Sequence, residues 1–222
     1  MFISIIIPVL NEEGSIEALL QQLQGIRQQG HEVIVVDGGS VDETVSISKL
    51  LSDKVIVSGL GRAIQMNEGA SHSKNEVLWF LHADTLIPDN AIKYIYQALS
   101  NKSWGRFNIH LSGKNILFRI IESMMNLRSC LTGIATGDQG IFINKILFNK
   151  IGGFPGIPLM EDIAISKILK RFSRPACVKE KLITSSRRWE KNGILSTVFL
   201  MWKLRFLFWL GVSADKIAVQ YK

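Results

Sequence analysis

Residues 32–42 read EVIVVDGGSVD and combine an apolar strand, a glycine-containing turn and the start of a helix. Glycines let the backbone turn tightly, and a helix N-terminus offers free N–H groups to an anion. Asp37, at the strand end, is placed to accept a hydrogen bond from a nucleobase or a ribose. A helix cap by Ser40 or Asp42 explains the same residues. The stretch therefore predicts either a nucleotide-binding turn or a capped helix start.

Apolar strands and amphipathic helices alternate on both sides of this turn, through the first hundred residues. Strands joined by helices give βαβ units with right-handed crossovers. We therefore predict an α/β fold with a mainly parallel, twisted sheet flanked by helices and a ligand at the carboxyl ends of its strands. The predicted strands are residues 2–9, 32–36, 54–58 and 77–81, and the predicted helices are residues 15–28, 42–51, 62–73 and 88–99, the last opened by Pro88 in its first turn.

The second half of the chain is less regular and shows no linker. Strands are predicted at residues 104–111 and 140–143, a β-like stretch at 182–186, and helices at 116–127 and 163–172. We therefore expect one domain over residues 1–190, with a first half (about 1–100) that carries the candidate nucleotide-binding turn and a second half (about 101–190). Residues 191–222 are expected to form an apolar helical segment.

Composition narrows the class of protein. Of the 222 residues 47% are hydrophobic and 20% are charged, which is typical of a folded globular chain. The formal net charge of +7 favours an anionic partner, but no basic block with interleaved aromatic residues indicates nucleic acid. Cys130 and Cys177 lack metal-ligand spacing, and no signal peptide is recognised. A reducing, cytoplasmic location is expected.

Carboxylates follow several of the predicted strands. Residues 11–13 (NEE) follow the first strand, Asp37 the second and Asp84 the fourth. A hard dication bound to a diphosphate needs only one or two protein carboxylates, because phosphate oxygens and water complete its shell. Asp84 is therefore a candidate metal ligand. The alternative is a turn capped by Asp84 or Thr85, with His82 in the core.

Two further groups of residues have both a functional and a structural interpretation. Glu161 and Asp162 follow a Gly/Pro-rich loop, which suits a general base on an element that orders around substrate, or a helix N-cap. Arg187 and Arg188 suit the stabilisation of a leaving diphosphate, or form a solvated face. Trp189 is either a stacking platform for a sugar or base, or part of the core.

Together these motifs resemble a known family. SIIIPVLNEE, DGGSVDET, Asp84 after an apolar strand, GDQGIF and MED are similar to a family-2 glycosyltransferase of the GT-A fold. More narrowly, GRAIQMNEGA, LHADT, TGDQGIFI, GGFPGIPLMED and SSRRW resemble small bacterial enzymes labelled as arsenosugar-biosynthesis glycosyltransferases. The likeness runs over nearly the whole chain.

The resemblance implies an inverting, metal-assisted transfer of a sugar from a nucleotide-diphosphate donor to an acceptor hydroxyl. It implies that Asp84 holds Mg²⁺ or Mn²⁺ and that Asp162 is the general base, with Glu161 secondary. The first aspartate of the family's DxD motif is replaced by His82. The donor-binding residues it implies are Pro8, Asn11, Glu12, Asp37, Gly38, Ser40, Arg62, Gln65, Asn67, His82, Ala83, Arg187, Arg188 and Trp189, and the acceptor-side residues are Gly137, Asp138 and Gln139.

Two other function classes remain open at this point. A nucleotidyltransferase shares the parallel sheet and the metal carboxylates, but it typically has a basic glycine-rich loop where this chain has residues 11–13. A membrane-associated binding protein without enzymatic activity is suggested by His82 and by the apolar C-terminal segment.

The segment 194–212 is apolar but is interrupted by Lys203 and Arg205. Two cations at mid-bilayer would cost about 5–7 kcal/mol, so we predict a helix lying on a membrane surface and not crossing it. This prediction places the protein at the inner face of the plasma membrane. Packing on the domain or in a homodimer interface is the alternative.

Overall fold

The computed structural model describes residues 1–221, and its core is a seven-stranded sheet with helices on both faces. The strands are β1 (Ile3–Val9), β2 (Glu32–Asp37), β3 (Lys54–Val57), β4 (Val77–Phe80), β5 (Trp104–Leu111), β6 (Phe142–Asn144) and β7 (Ala176–Thr184). The helices are α1 (Glu13–Gln28), α2 (Thr44–Leu51), α3 (Arg62–Ser71), α4 (Ala91–Leu99), α5 (Ile116–Thr132), α6 (Lys145–Lys150), α7 (Glu161–Leu169), α8 (Arg187–Asn192), α9 (Ile194–Trp209) and α10 (Ala214–Tyr221).

The strand order is β3-β2-β1-β4-β6-β5-β7. Strands β1 to β4 are parallel to one another, and β5 is parallel to β7. Only β6 runs antiparallel, to both β4 and β5. The predicted α/β fold with a mainly parallel sheet is confirmed. The carboxyl ends of β1 and β4 lie side by side, which brings the residues after them to one edge.

Side chains of β1 alternate between two apolar layers. Ile5 and Ile7 pack with α1, whereas Ile6 packs with α3 and with Phe148 of α6. Because helices cover both faces, the strands need apolar residues at nearly every position, and all seven residues of β1 are buried. This explains why the central strands β1, β2 and β4 appear in the sequence as nearly continuous apolar runs.

Several predicted boundaries are wrong. Pro88 does not open helix α4, which begins three residues later at Ala91. The chain is held in a turn there, since Leu86 forms a β-bridge with Ile183 and Asn90 adopts a left-handed conformation (φ 59°). Helix α5 continues five residues past its predicted end, to Gly133 (φ 67°) as its cap.

Other differences concern the second half. Helix α7 begins at Glu161, so the acidic pair lies inside its first turn. Strand β7 begins at Ala176, well before the predicted stretch, because it pairs with the long strand β5. Helix α6 had no predicted counterpart.

The C-terminal segment packs on the domain. Leu204 of α9 and Ile217 of α10 are buried in one apolar cluster with Met160 and Ile163 at the start of α7. The other side of α9 is exposed, including Trp209 at 71%. No helix within residues 1–221 is long and apolar enough to span a membrane.

Candidate active site

A cavity of about 690 Å³ opens at the carboxyl ends of β1 and β4. Its floor comes from the segments that follow these strands, and its walls come from α3, α5, α7, α8 and α9. The sequence-predicted site residues that line it are Pro8, Glu12, Arg62, Gln65, His82, Ala83, Asp84, Gly137, Asp138, Glu161, Asp162, Arg188 and Trp189. The topology thus collects these predicted residues from six separate segments of the chain.

Asp84 lies in the turn after β4 and is half-buried at the cavity wall. Within the described part of the chain its carboxylate has no hydrogen bond or ion pair with another side chain. Burial, and then the charge of Asp84, raise the pKa of Glu12, while Arg187 opposes this rise. Two carboxylates that repel one another across an open cavity form a place where a cation is stabilised.

His82 is paired with a carboxylate from a distant part of the chain. Its Nδ1 lies 3.1 Å from Oδ1 of Asp138. Burial within the cavity opposes ionisation of Asp138, but the hydrogen bond and charge of His82 prevail and lower the pKa of this carboxyl. A Cβ on Gly137 would lie 2.6 Å from Nε2 of His82, so the close approach requires glycine.

The acidic pair lies at the N-terminus of α7. Oδ2 of Asp162 accepts a hydrogen bond of 2.9 Å from the backbone N–H of Gly137. Glu161 is only 6% exposed, and burial, followed by the charge of Asp162, raises its pKa against the opposing effect of Arg62. Met160, the residue before the pair, adopts φ 68°. Such backbone strain in a residue other than glycine is concentrated at functional sites.

Four arginines also line the cavity, namely Arg62, Arg128, Arg188 and Arg205. Arg188 donates to the backbone carbonyl of Tyr221 at 3.0 Å and lies over its ring. The charges of Glu161 and other carboxylates raise the pKa of Arg62 in spite of its desolvation by the cavity walls. Burial, and then the charge of Arg205, lower the pKa of Arg128 to about 10.

Seven sequence-predicted site residues lie outside the cavity lining: Asn11, Asp37, Gly38, Ser40, Asn67, Gln139 and Arg187. Asp37 is 2% exposed and accepts hydrogen bonds from Gly39 and from the backbone and hydroxyl of Ser40. Asn11 is hydrogen-bonded to Ser40 and Val41. These contacts organise the turn after β2.

The others connect segments of the chain. The amide of Asn67 bonds to the backbone of Phe154, and Gln139 closes a capped turn with Thr136. Arg187 lies 3.8 Å from Glu12. Gln65 reaches the cavity wall, but its amide donates to the backbone of β1 and β2 at 2.8 Å each. These side chains fix the segments that carry the cavity lining.

The sequence predictions did not include the part of the cavity formed by α5 and α9. These helices contribute Arg128 and Arg205 together with apolar side chains. The signal available in the sequence was helical spacing, because Arg128 follows Met124 and Met125 by one turn and Arg205 follows Met201 by one turn. Only the tertiary contacts show that both turns face the same space.

Comparison with known proteins was consistent with this geometry. The family model described as "Glycosyl transferase family 2" matches residues 4–122. An uncharacterized glycosyltransferase of Mycobacterium tuberculosis is 28% identical over 173 residues, covering 68% of this chain and 62% of that protein. The chain thus spans less than two thirds of the length of that curated relative.

Two solved structures share the fold. Staphylococcus aureus TarS 1–349 in complex with UDP-GlcNAc has a TM-score of 0.64 at 20% identity, covering 83% of this chain and 58% of that chain. A mannosyltransferase from Pyrobaculum calidifontis in complex with GDP-Man and Mn²⁺ has a TM-score of 0.60 at 20% identity, covering 82% of this chain and 56% of that one.

Proposed function

Since the chain belongs to glycosyltransferase family 2, we propose that it transfers a sugar from a nucleotide-diphosphate donor to an acceptor hydroxyl. The observation that carries the proposal is the cavity at the carboxyl ends of β1 and β4, which is lined by Asp84 and Asp162 together with four arginines. The similar structures with UDP-GlcNAc and GDP-Man support a nucleotide-sugar donor. The assignment to the arsenosugar-biosynthesis subgroup stays a prediction.

The donor-binding residues are proposed on both sides of Asp84. Arg62 and Arg188 provide positive charge for a diphosphate, and Trp189 provides an aromatic face beside them. The turn that Asp37 organises lies behind this wall, and we keep the prediction that it contributes to binding the nucleoside. Oriented cations stabilise the charge that develops on a leaving diphosphate.

The residues present fit a divalent cation bound together with the donor. No group of three or more His, Cys, Asp or Glu side chains in residues 1–221 could hold a metal ion alone. Asp84 instead offers one free carboxylate with Glu12 nearby, and Mg²⁺ or Mn²⁺ takes its remaining ligands from phosphate oxygens and water. The cation would supply charge neutralisation for the diphosphate, with Asp84 as its protein ligand. The structure of the P. calidifontis enzyme with Mn²⁺ supports this cofactor.

We propose Asp162 as the general base. Its hydrogen bond from Gly137 fixes the carboxylate at the cavity wall, and its neighbour Glu161 lines the same cavity and is only 6% exposed. The acceptor O–H gives its proton to Asp162, the oxygen bonds to the anomeric carbon, and the bond from that carbon to the diphosphate breaks. The nucleoside diphosphate leaves with the electron pair. Attack opposite the leaving group inverts the anomeric centre.

The exposed side of α9 supports a peripheral membrane contact as a second part of the proposal. Phe199, Phe206 and Trp209 are each more than half exposed there, and Lys203 lies among them. Aromatic side chains with adjacent cations suit the headgroup boundary of an anionic bilayer, and the net charge of +7 adds attraction. We retain this contact, with a homodimer interface as its alternative.

A panel of nucleotide sugars tests the donor assignment. UDP-, GDP- and dTDP-sugars are added with and without Mg²⁺ or Mn²⁺, and the thermal unfolding midpoint is measured. A ligand that binds the native state raises the midpoint in proportion to its saturation. We expect one nucleotide class to raise it only with metal. No shift with any nucleotide, with or without metal, would contradict the proposal.

A further inference from the structure

Helix α5 presents one face to the cavity that is apolar over two turns and ends in a cation. Ile121, Met124, Met125 and Arg128 all line the cavity, at spacings of three, four and seven residues. Nε and one terminal nitrogen of Arg128 are buried and have no hydrogen-bond partner among residues 1–221. Two buried guanidinium nitrogens without a partner are costly, and a negative charge bound in the cavity would offset that cost.

Helix α9 presents a matching face. Val198, Met201, Trp202 and Arg205 line the same cavity and again run from apolar residues to a cation. Arg205 makes no ion pair within the described part of the chain. It is close enough to Arg128 for their positive charges to repel. Asp162 attracts Arg128, and Asp138 attracts Arg205. Two apolar helix faces thus converge on one pair of arginines beside the acceptor-side carboxylates.

We propose that the acceptor is an anionic amphiphile, whose phosphate or carboxylate group is bound by Arg128 and Arg205 and whose apolar chain lies between α5 and α9. This inference rests on the proposed glycosyl transfer and names the class of its acceptor. The anionic group is not the nucleophile. A hydroxyl near it reaches Asp162, and the arginine pair sets the distance between them.

The arginines of this anion site and those of the proposed donor site line the same cavity but come from different elements of the fold. Arg62 and Arg188 adjoin the segments after β1, β3 and β7, whereas Arg128 and Arg205 come from α5 and α9. The apolar side chains leading to the second pair continue onto an exposed surface, with Met124 at 51% and Trp202 at 55% exposed. A fully polar acceptor would leave this apolar wall in contact with water. The charge and the apolar wall together favour an amphiphile.

The test uses the full-length protein and n-decyl phosphate below its critical micelle concentration, titrated calorimetrically with UDP and Mg²⁺ present. Inorganic phosphate and decyltrimethylammonium are the comparison ligands. We expect decyl phosphate to bind at least about tenfold more tightly than either, because only it satisfies both the arginines and the apolar wall. Arg205→Gln should weaken decyl phosphate binding about tenfold or more. Lys216→Gln, which removes an exposed charge from α10 outside the cavity lining, should leave it unchanged.

Two further variants keep the test decisive. Arg205→Lys keeps the charge but loses the planar fork and should give an intermediate loss, even if Arg205→Gln does not fold. Trp202→Ser should weaken decyl phosphate but leave phosphate binding unchanged.

Three results would overturn the inference, and a separate one would reject the proposed function. Displacement of decyl phosphate by UDP would assign the arginine pair to the donor and overturn the inference. Equal affinity for inorganic phosphate, or no effect of Arg205→Gln in a folded variant, would also overturn it. UDP titration into each variant without decyl phosphate is the separate readout for the proposed function. Absence of binding of UDP, GDP and dTDP alike in the wild-type protein would reject glycosyl transfer itself.

Discussion

Asp162 is bound to the backbone N–H of Gly137 at 2.9 Å, which ties the start of α7 to the turn that carries Asp138. The contact joins positions 25 residues apart and holds a carboxylate at the cavity wall without neutralising it. We expect Asp162→Asn to retain donor affinity but to lower the transfer rate about 10²-fold or more, because a general base is removed. Single-turnover transfer and UDP titration measure the two effects. A near wild-type rate would assign the role to Glu161 or to another group.

Asp84 is expected to be required for metal-dependent donor binding. Asp84→Asn removes the free charge at the cavity wall with little change in volume, so UDP should bind weakly and without dependence on Mn²⁺. Asp89→Asn is the matched control, since Asp89 is an exposed carboxylate five residues further on and outside the cavity. Titration of UDP with and without Mn²⁺ measures the effect. If both variants behave alike, Asp84 is not the metal ligand.

Glu161 should cost stability when it is ionised. Its pKa in the folded protein lies above the ordinary value of 4.5, so the fold binds the proton more tightly than the unfolded chain does. This loss of stability is absent at pH values below 4.5, where both states are protonated. It grows as the pH rises from there through the pKa of Glu161 in the folded protein. Glu161→Gln should therefore raise the free energy of unfolding at pH 8, with a smaller gain at pH 5. Urea unfolding at both pH values measures it.

Glu122 is a control whose effect on stability should depend on pH in the opposite direction. It is 3% exposed, and although burial opposes ionisation, hydrogen bonds from Leu111 and Lys181 lower its pKa. Its contribution to stability is present above the ordinary value and is lost as the pH falls through the folded pKa. Glu122→Gln should destabilise at pH 8 by about 1–3 kcal/mol and less at low pH. If the effects of Glu161→Gln and Glu122→Gln on the free energy of unfolding changed with pH in the same direction, the opposite pKa shifts of the two carboxyls would be contradicted.

Gly137 is expected to be intolerant of alanine. An added Cβ would meet the ring of His82 at 2.6 Å and push it away from Asp138, with a loss of about 1–3 kcal/mol in the free energy of unfolding. Gly25→Ala is the control, because Gly25 lies within α1 with no atom near its Cβ position. That substitution should stabilise by about 0.5–1 kcal/mol. Denaturant unfolding compares the two, and an equally tolerated Gly137→Ala would contradict the close packing.

The exposed face of α9 is expected to bind anionic vesicles. Phe206 and Trp209 stack at 6.0 Å on that face, and replacing both by serine should abolish sedimentation with anionic liposomes at low salt. Leu50→Ser, at a residue 81% exposed on α2, should have no effect. If the wild-type chain does not sediment but is a dimer that the double variant dissociates, the face is a dimer interface.

The first half of the fold could be predicted from sequence, because its strands are apolar runs and its helices have an amphipathic period. The boundaries near residues 88–91 could not, since the bridge between Leu86 and Ile183 joins segments almost a hundred residues apart. The antiparallel direction of β6 likewise depends on its pairing with β4 and β5. A local pattern carries no information about such contacts.

By itself, the sequence determined the α/β class, the edge at which polar residues gather, and the positions of Asp84 after a strand and Asp162 at the start of a helix. These follow from period and position, which are local properties of the chain. Only the tertiary structure decided that His82 pairs with Asp138, that Asp37 is enclosed by its own turn, and that α5 and α9 bring Arg128 and Arg205 to one cavity. The physical reason is that burial and charge pairing depend on contacts between segments far apart in the sequence. These contacts are formed only when the whole chain packs.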